Sequence, residues 1–269
     1  MYVFDFLSNV DISGSNIVLD ELLPLVHTTV YQDFKKGTFP AINILEQKKL
    51  EKRFNKEHLL YFFYGRPAFR FKDEMEIPVV FIIEPILKDI NKVYPFDSGA
   101  FNNLYIDNYR LDSRTPISDY ELLNNFLAIR QYINAIFGSN HNYYYGKRKI
   151  DDKLPDSVKQ CRKINQDLNN LLNLIVEKKQ DGIDDRRKTV EIQSANDYNL
   201  SGKLVAVFAP SYCFNESVFI NINASGVKLY NLKYYNMSKA RIPIPDLLKC
   251  IERYYVDKKY IMPGDNYED

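Results

Sequence analysis

The chain has 269 residues, 45% of them apolar, with 21 Tyr, 17 Phe and no Trp, a composition that excludes general disorder and suffices for one large core or two small ones. The 36 basic and 35 acidic residues leave a formal net charge of +1, so no global field draws the protein to nucleic acid or membrane, and any such partner must be met by a local patch. Cys161, Cys213 and Cys250 are odd in number and in no metal spacing, which suits small core residues in a reducing compartment; with no signal-peptide pattern and no membrane-length apolar run, a soluble cytoplasmic protein without membrane partners is expected.

In chain order, a short strand is expected at residues 2–7. ELLPLVHTTVYQDFKKG then reads as a buried strand ending near His27 and a short helix that Thr28 or Thr29 could cap. Residues 41–57, with Ile42, Leu45, Leu50 and Phe54 among Lys and Glu, read as a surface helix. The run LLYFFYGRPAFRF at 59–71 concentrates aromatics around a Gly-Arg-Pro break, and IPVVFIIEPI at 77–86 reads as a central strand. Asp97-Ser98-Gly99 is turn chemistry. Ser118 with Glu121 reads as a capping box opening a helix that runs to Gly138, and a second helix is expected from Ser157 through Ile175. The most loop-like inserts are 138–156 and 177–188. TVEIQ at 189–193 and KLVAVFA at 203–209 read as strands; VFININ and VKLYNLKYY read as a hairpin across Ser225-Gly226. Pro245 and Asp246 open a C-terminal helix, and MPGDNYED reads as a frayed tail.

The ten glycines form neither GxGxxG nor GxxxxGK, so a Rossmann fingerprint and a P-loop are both excluded. His27, His58 and His141 lie far apart without HExxH or a cysteine partner, which argues against zinc and leaves no metal expected. No GxSxG elbow motivates a serine triad, and the acid pairs Glu74/Glu76 and Asp184/Asp185 read as solvated charges.

Three separated pieces remain: HTT at 27–29, YFFYGRPAF at 61–69 and RKTVE at 187–191. In that order they resemble the ADP-ribosyltransferase fold, in which a His-x-Thr strand, an aromatic-bearing strand or loop and a late Glu strand line a split NAD pocket. More narrowly they are similar to the toxin family that transfers ADP-ribose onto thymidine in DNA, with its His-aromatic-Thr start, FYFxPRSPM run and Arg-x-x-Glu strand. Thr28 stands in place of the aromatic, Gly65 in place of the Pro before Arg66, and the spacing from Arg187 to Glu191 is longer by one. The resemblance implies a single α+β domain over 1–269, a split mixed sheet with helical insertions at about 118–180 and a C-terminal helix.

It also implies roles, each with a plain structural alternative. His27 and Thr29, two apart and so on one face of a strand, would hydrogen-bond a ribose; otherwise His27 is a satisfied core residue. Arg66 would pair with the phosphates of NAD, or else bridge a carboxylate. Tyr64, or Tyr61, would stack on nicotinamide, or simply pack in the core. Glu191, sharing a face with Gln193, would bond a ribose hydroxyl and stabilise the positive charge left as nicotinamide departs; otherwise it is an exposed strand Glu. Tyr143, Tyr144, Tyr145, Lys147 and Arg148, in HNYYYGKRK, combine rings and cations in an expected loop suited to a nucleic-acid acceptor, or form a solvated basic loop. The expected activity is NAD-dependent transfer of ADP-ribose to a macromolecule, in a toxin or phage-defence role with an antitoxin as partner. Two alternatives stay open: an NAD glycohydrolase, and a non-catalytic nucleic-acid or protein-binding module.

Overall fold

The computed structural model describes residues 4, 7, 22–31, 44–45, 50–51, 57–68, 77–85, 90–101, 111–176, 186–195, 198–200, 202–232 and 244–264. The chain is mixed α+β and divides into two compact units, each assembled from separated segments. One comprises Met1–Leu22, Lys92–Glu191 and Glu252–Asp269; the other comprises Leu23–Asn91 and Ile192–Ile251.

The second unit is built on an open mixed sheet. Its strands include β1 (Leu25–Val30), the two-residue pieces β2 (Ile44–Leu45), β3 (Leu50–Glu51) and β4 (Glu57–His58), then β5 (Leu60–Tyr64) and β6 (Pro78–Ile83). β7 (Lys92–Tyr94) belongs to the first unit. The second unit continues with β8 (Glu191–Ser194, from Ile192 onward), β9 (Tyr198–Asn199), β10 (Leu204–Ala209) and β11 (Lys228–Asn231). Six of these strands follow the order β11-β10-β6-β1-β5-β8. β6 is buried at every position, as a β-branched run inside a sheet must be, and it pairs antiparallel with β1 from Leu25↔Ile83 to Val30↔Pro78. β5 flanks β1 antiparallel on the other side, through Leu25↔Tyr64 and Val26↔Phe63.

Several expectations are corrected here. His27 lies in the middle of β1, because the β-branched Thr28, Thr29 and Val30 carry the pairing onward, and neither Thr opens a helix. The helix expected at 41–57 is absent at its described positions, where β3 pairs with β4 and β2 with β9; an i, i+3 apolar pattern this short does not separate helix from strand. The expected hairpin is a β-α-β unit: VFININ lies in a helix, Ser217–Ala224, and β11 returns parallel to β10. Two strands that run parallel need such a crossover, whereas Gly226, at φ +88, only closes the helix.

The first unit holds helices α1 (Phe126–Ile136), α2 (Asn140–Tyr144), α3 (Asp156–Ile164) and α4 (Gln166–Val176). The Ser217–Ala224 helix of the other unit is α5, and the C-terminal helix expected from Pro245 is α6 (Ile244–Asp257). α1 does not start at the Ser118 box, where a 3-10 turn forms instead. Its cap is Asn125, whose side chain accepts from the Ala128 N–H at 2.8 Å, and Gly138 at φ +89 ends it by donating to Ile133 O. The single helix expected over 157–175 is two, because Asn165 leaves the helical region at φ −115, ψ 101 and its side chain caps α4 through Leu168 N–H. Val158, Leu168, Leu171, Leu172 and Ile175 are buried, whereas Cys161 and Ile164, which the same apolar spacing places on that face, are half-buried and exposed, because the break at Asn165 ends the first helix there. The strand expected at 2–7 is replaced at its described positions by a turn, Leu7 N–H to Phe4 O at 2.9 Å, with both side chains buried and the Phe4 ring edge-on to Tyr132. Cys213 is buried while Cys161 and Cys250 are half-buried, and none of the three is in a disulfide. Most of the tail, from residue 265, lies outside the described residues, as do 177–185. Among the described residues no helix is long and apolar enough to cross a membrane.

Removing the α1 cap is the simplest test of this boundary. Asn125→Ala is expected to lower stability by about 1 kcal/mol in urea unfolding, whereas Ser118→Ala, at the position once expected to cap, is expected to change it by less than about 0.5 kcal/mol.

Candidate functional site

In the first unit a buried polar cluster forms around Glu191, the first residue of β8. Val190 and Ile192 are buried beside it, and the Val190 N–H is anchored by donating to the Tyr143 hydroxyl at 2.9 Å. Glu191 is only 1% exposed, so it is not an ordinary surface Glu of a strand. Its carboxylate is engaged from 93 positions away: Ser98 donates its hydroxyl to Oε1 at 2.6 Å and its N–H to Oε2 at 3.1 Å. A buried carboxylate needs such donors, and two from one rigid residue fix its plane as well as its charge.

Ser98 is presented by a 3-10 turn, Ser98–Ala100, capped by Asp97, whose Oδ1 accepts from Gly99 N–H at 2.8 Å. Asp97 is tied to the segment leading into β8 twice. Its N–H donates to Arg186 O at 3.0 Å, and its Oδ2 lies 3.5 Å from Arg186 Nη1, with both side chains largely buried. Asp97, Ser98 and Arg186 were not legible as site residues in sequence. The only signal was the Asp-Ser-Gly turn, which says that a turn forms and nothing about what it faces.

In the second unit, β1, β5 and β8 are consecutive strands and carry His27 and Thr29, Tyr61 and Tyr64, and Gln193 respectively. His27 is half-buried, with Nδ1 2.8 Å from Tyr61 O and its ring among Phe62 and Phe81. A carbonyl only accepts, so Nδ1 carries a proton, and in a neutral ring Nε2 would be the acceptor. Thr29 is 8% exposed and Gln193 is fully buried. Tyr61 contributes its carbonyl to His27, and its side chain is half-buried. Tyr64 is fully buried and its hydroxyl accepts from Leu23 N–H at 3.1 Å, which makes it a core strut rather than an accessible stacking face.

Arg66 is 2% exposed and follows a sharp turn: its N–H donates to Tyr64 O at 2.7 Å across Gly65, which sits at φ +64. A Cβ on Gly65 would lie 2.4 Å from Leu23 Cδ1, so both the conformation and the space require glycine.

The acceptor segment is corrected. HNYYYGKRK is not an open loop: Asn140–Tyr144 form α2, capped by the Ser139 hydroxyl at Asn142 N–H. Tyr143 is fully buried and Tyr144 is 3% exposed, edge-on to Tyr255, so neither ring can stack on a base. Tyr145 is half-buried and donates to the Glu252 carboxylate. The Arg148 side chain is 6% exposed and pairs with Asp151 at 2.8 Å, and Lys149 donates to Asn134 O, its ammonium held below the ordinary lysine value by burial. Lys147 alone of these cations is exposed, lying over the Tyr145 ring. Among the described residues no three His, Cys, Asp or Glu side chains are grouped to hold a metal ion. Comparison with family models, curated proteins and solved structures finds no match to the chain.

Two measurements check this geometry. Gly65→Ala is expected to destabilise by about 2–4 kcal/mol in urea unfolding, from left-handed strain plus the Leu23 overlap. Hydrogen bonds from Arg162 and then Arg148 hold the Asp151 carboxyl below its ordinary value. A carboxylate with a depressed folded value contributes stability above its unfolded pKa and loses it as pH falls through the folded one. The gap in urea midpoint between the wild type and Asp151→Asn is therefore expected to be full above about pH 4 and to close below it.

Proposed function

We propose that the chain is an NAD-dependent ADP-ribosyltransferase that cleaves the nicotinamide glycosidic bond and passes ADP-ribose to an acceptor. The observation that carries this reading is the Glu191 carboxylate, buried yet held by two donors, at the head of a strand that also carries Gln193. A fixed anion of this kind is suited to a reaction that develops positive charge on a ribose. The bonding pair of the C1′–N bond leaves with nicotinamide, the ribose carbon becomes cationic, and the acceptor's nucleophile attacks it and gives its proton to Glu191. Within the second unit, the half-buried His27 and Thr29 on the same face of β1 would suit a ribose, and the guanidinium of Arg66 a phosphate, as the resemblance implies. Phosphate recognition at Arg66 rests on the planar donor fork and on its place beside a Gly turn.

Water is the second acceptor to consider, and a specific observation favours it. Tyr143 and Tyr144, the rings meant to stack an acceptor base, are packed inside, and Arg148 and Lys149 are engaged within the protein, which favours the glycohydrolase reading. A toxin or phage-defence role, with an antitoxin partner, is the setting the resemblance implies.

Incubation with NAD labelled in the ADP-ribose half, with DNA, RNA and cell protein supplied separately, tests the proposal. Nicotinamide release with label on one polymer supports transfer, release with free ADP-ribose supports hydrolysis, and no release overturns both. Glu191→Gln keeps the side-chain shape and is expected to lower turnover about 10²-fold; turnover within a few-fold of wild type would remove Glu191 from the chemistry.

A further inference from the structure

We infer that Ser98 is a positioning residue for Glu191: its hydroxyl and N–H together lock the plane of the carboxylate that the proposed reaction uses. The inference rests on the NAD-cleaving reading above and extends it to a residue outside every motif that suggested that reading.

A carboxylate has two lone-pair directions on each oxygen. Ser98 takes one on each, Oγ–H to Oε1 at 2.6 Å and N–H to Oε2 at 3.1 Å, so rotation about the terminal torsion of Glu191 would break both bonds together. Terminal carboxylate torsions are otherwise broad, and a donor on each oxygen is what narrows them. Ser98 is fully buried, so bulk water does not stand in for its hydroxyl.

The Ser98 donors are themselves rigidly mounted. Asp97 caps the turn through Gly99 N–H, and Arg186 grips Asp97 through its carbonyl and its guanidinium. Arg186 opens the 3-10 turn Arg186–Lys188, only five positions ahead of Glu191, so the group being positioned and the turn that positions it are fastened to the same short segment. A Cβ on Gly99 would lie 2.9 Å from Asp97 Oδ1, which shows how closely the cap is drawn over the turn. For a group that must face a ribose and an incoming nucleophile in one bound complex, fixed orientation is worth rate rather than affinity.

Steady-state NAD cleavage by the full chain tests this. Ser98→Ala is expected to lower kcat about tenfold while KM for NAD stays within about twofold, and Ser98→Thr, which keeps the hydroxyl, is expected to recover kcat to within about threefold of wild type. Melting midpoints and near-ultraviolet circular dichroism establish that each variant is folded. Should the Ala or Thr protein fail that check, Ser98→Cys, nearly isosteric with a weak donor, takes its place and is expected to show the same kcat loss at unchanged KM. An active wild type whose Ser98→Ala or Ser98→Cys variant keeps full kcat, or loses activity through KM, overturns the role of Ser98 alone. A wild type that releases no nicotinamide overturns this role together with the functional reading.

Discussion

A carboxylate removed from water has to be solvated by the protein, and at Glu191 this requirement organises its surroundings. Left without donors, a buried charge of this kind costs several kcal/mol. Two donors come from Ser98, whose usefulness depends on a turn, which depends on Asp97, which depends on Arg186. The other flank is held by the Tyr143 phenol at Val190 N–H, and this explains why α2 places that tyrosine in the interior. What looked in sequence like an aromatic acceptor loop is part of the support for the Glu191 strand.

Elements whose residues all argue one way were legible. β6 is a β-branched run that ended up inside a sheet, and β10 and α6 likewise follow their apolar patterns. Boundaries were not legible where two polar residues competed to cap. Ser118 with Glu121 had the better sequence signature, yet Leu122 is drawn into a bridge with Val93 and the helix waits for Asn125. Asn165 broke a helix whose apolar spacing runs straight through it, because spacing reports the buried face and is silent about backbone continuity. The βαβ unit was misread for a related reason: VFININ has strand composition, and only the parallel partner, β11, forces its helix.

At the candidate site, residue type was legible and partnership was not. His27, Arg66 and Glu191 stood out as chemistry-bearing residues in short apolar settings. That His27 would spend its Nδ1 proton on Tyr61 O, that Tyr64 would brace Leu23, and that Glu191 would lean on Ser98 are all consequences of contacts between distant segments. The 93-residue separation of Ser98 and Glu191 leaves no periodicity for a sequence reading to detect.

The chain passes between its two compact units four times, at 22/23, 91/92, 191/192 and 251/252. Neither unit is therefore a contiguous stretch that a ribosome could release and leave to fold while the other is still being made. The second unit lacks β8, β10 and β11 until residues beyond 191 emerge, and the first lacks the end of α6 until later still. Contacts of such long sequence separation make for slow, late assembly: β1 precedes β5 and β6, but their outer neighbours in the sheet, β8 and β10, arrive well after those strands themselves. During synthesis the interval between them leaves apolar strand edges uncovered, and this architecture gives the nascent chain a reason to depend on chaperones that a protein of two consecutive domains would not have.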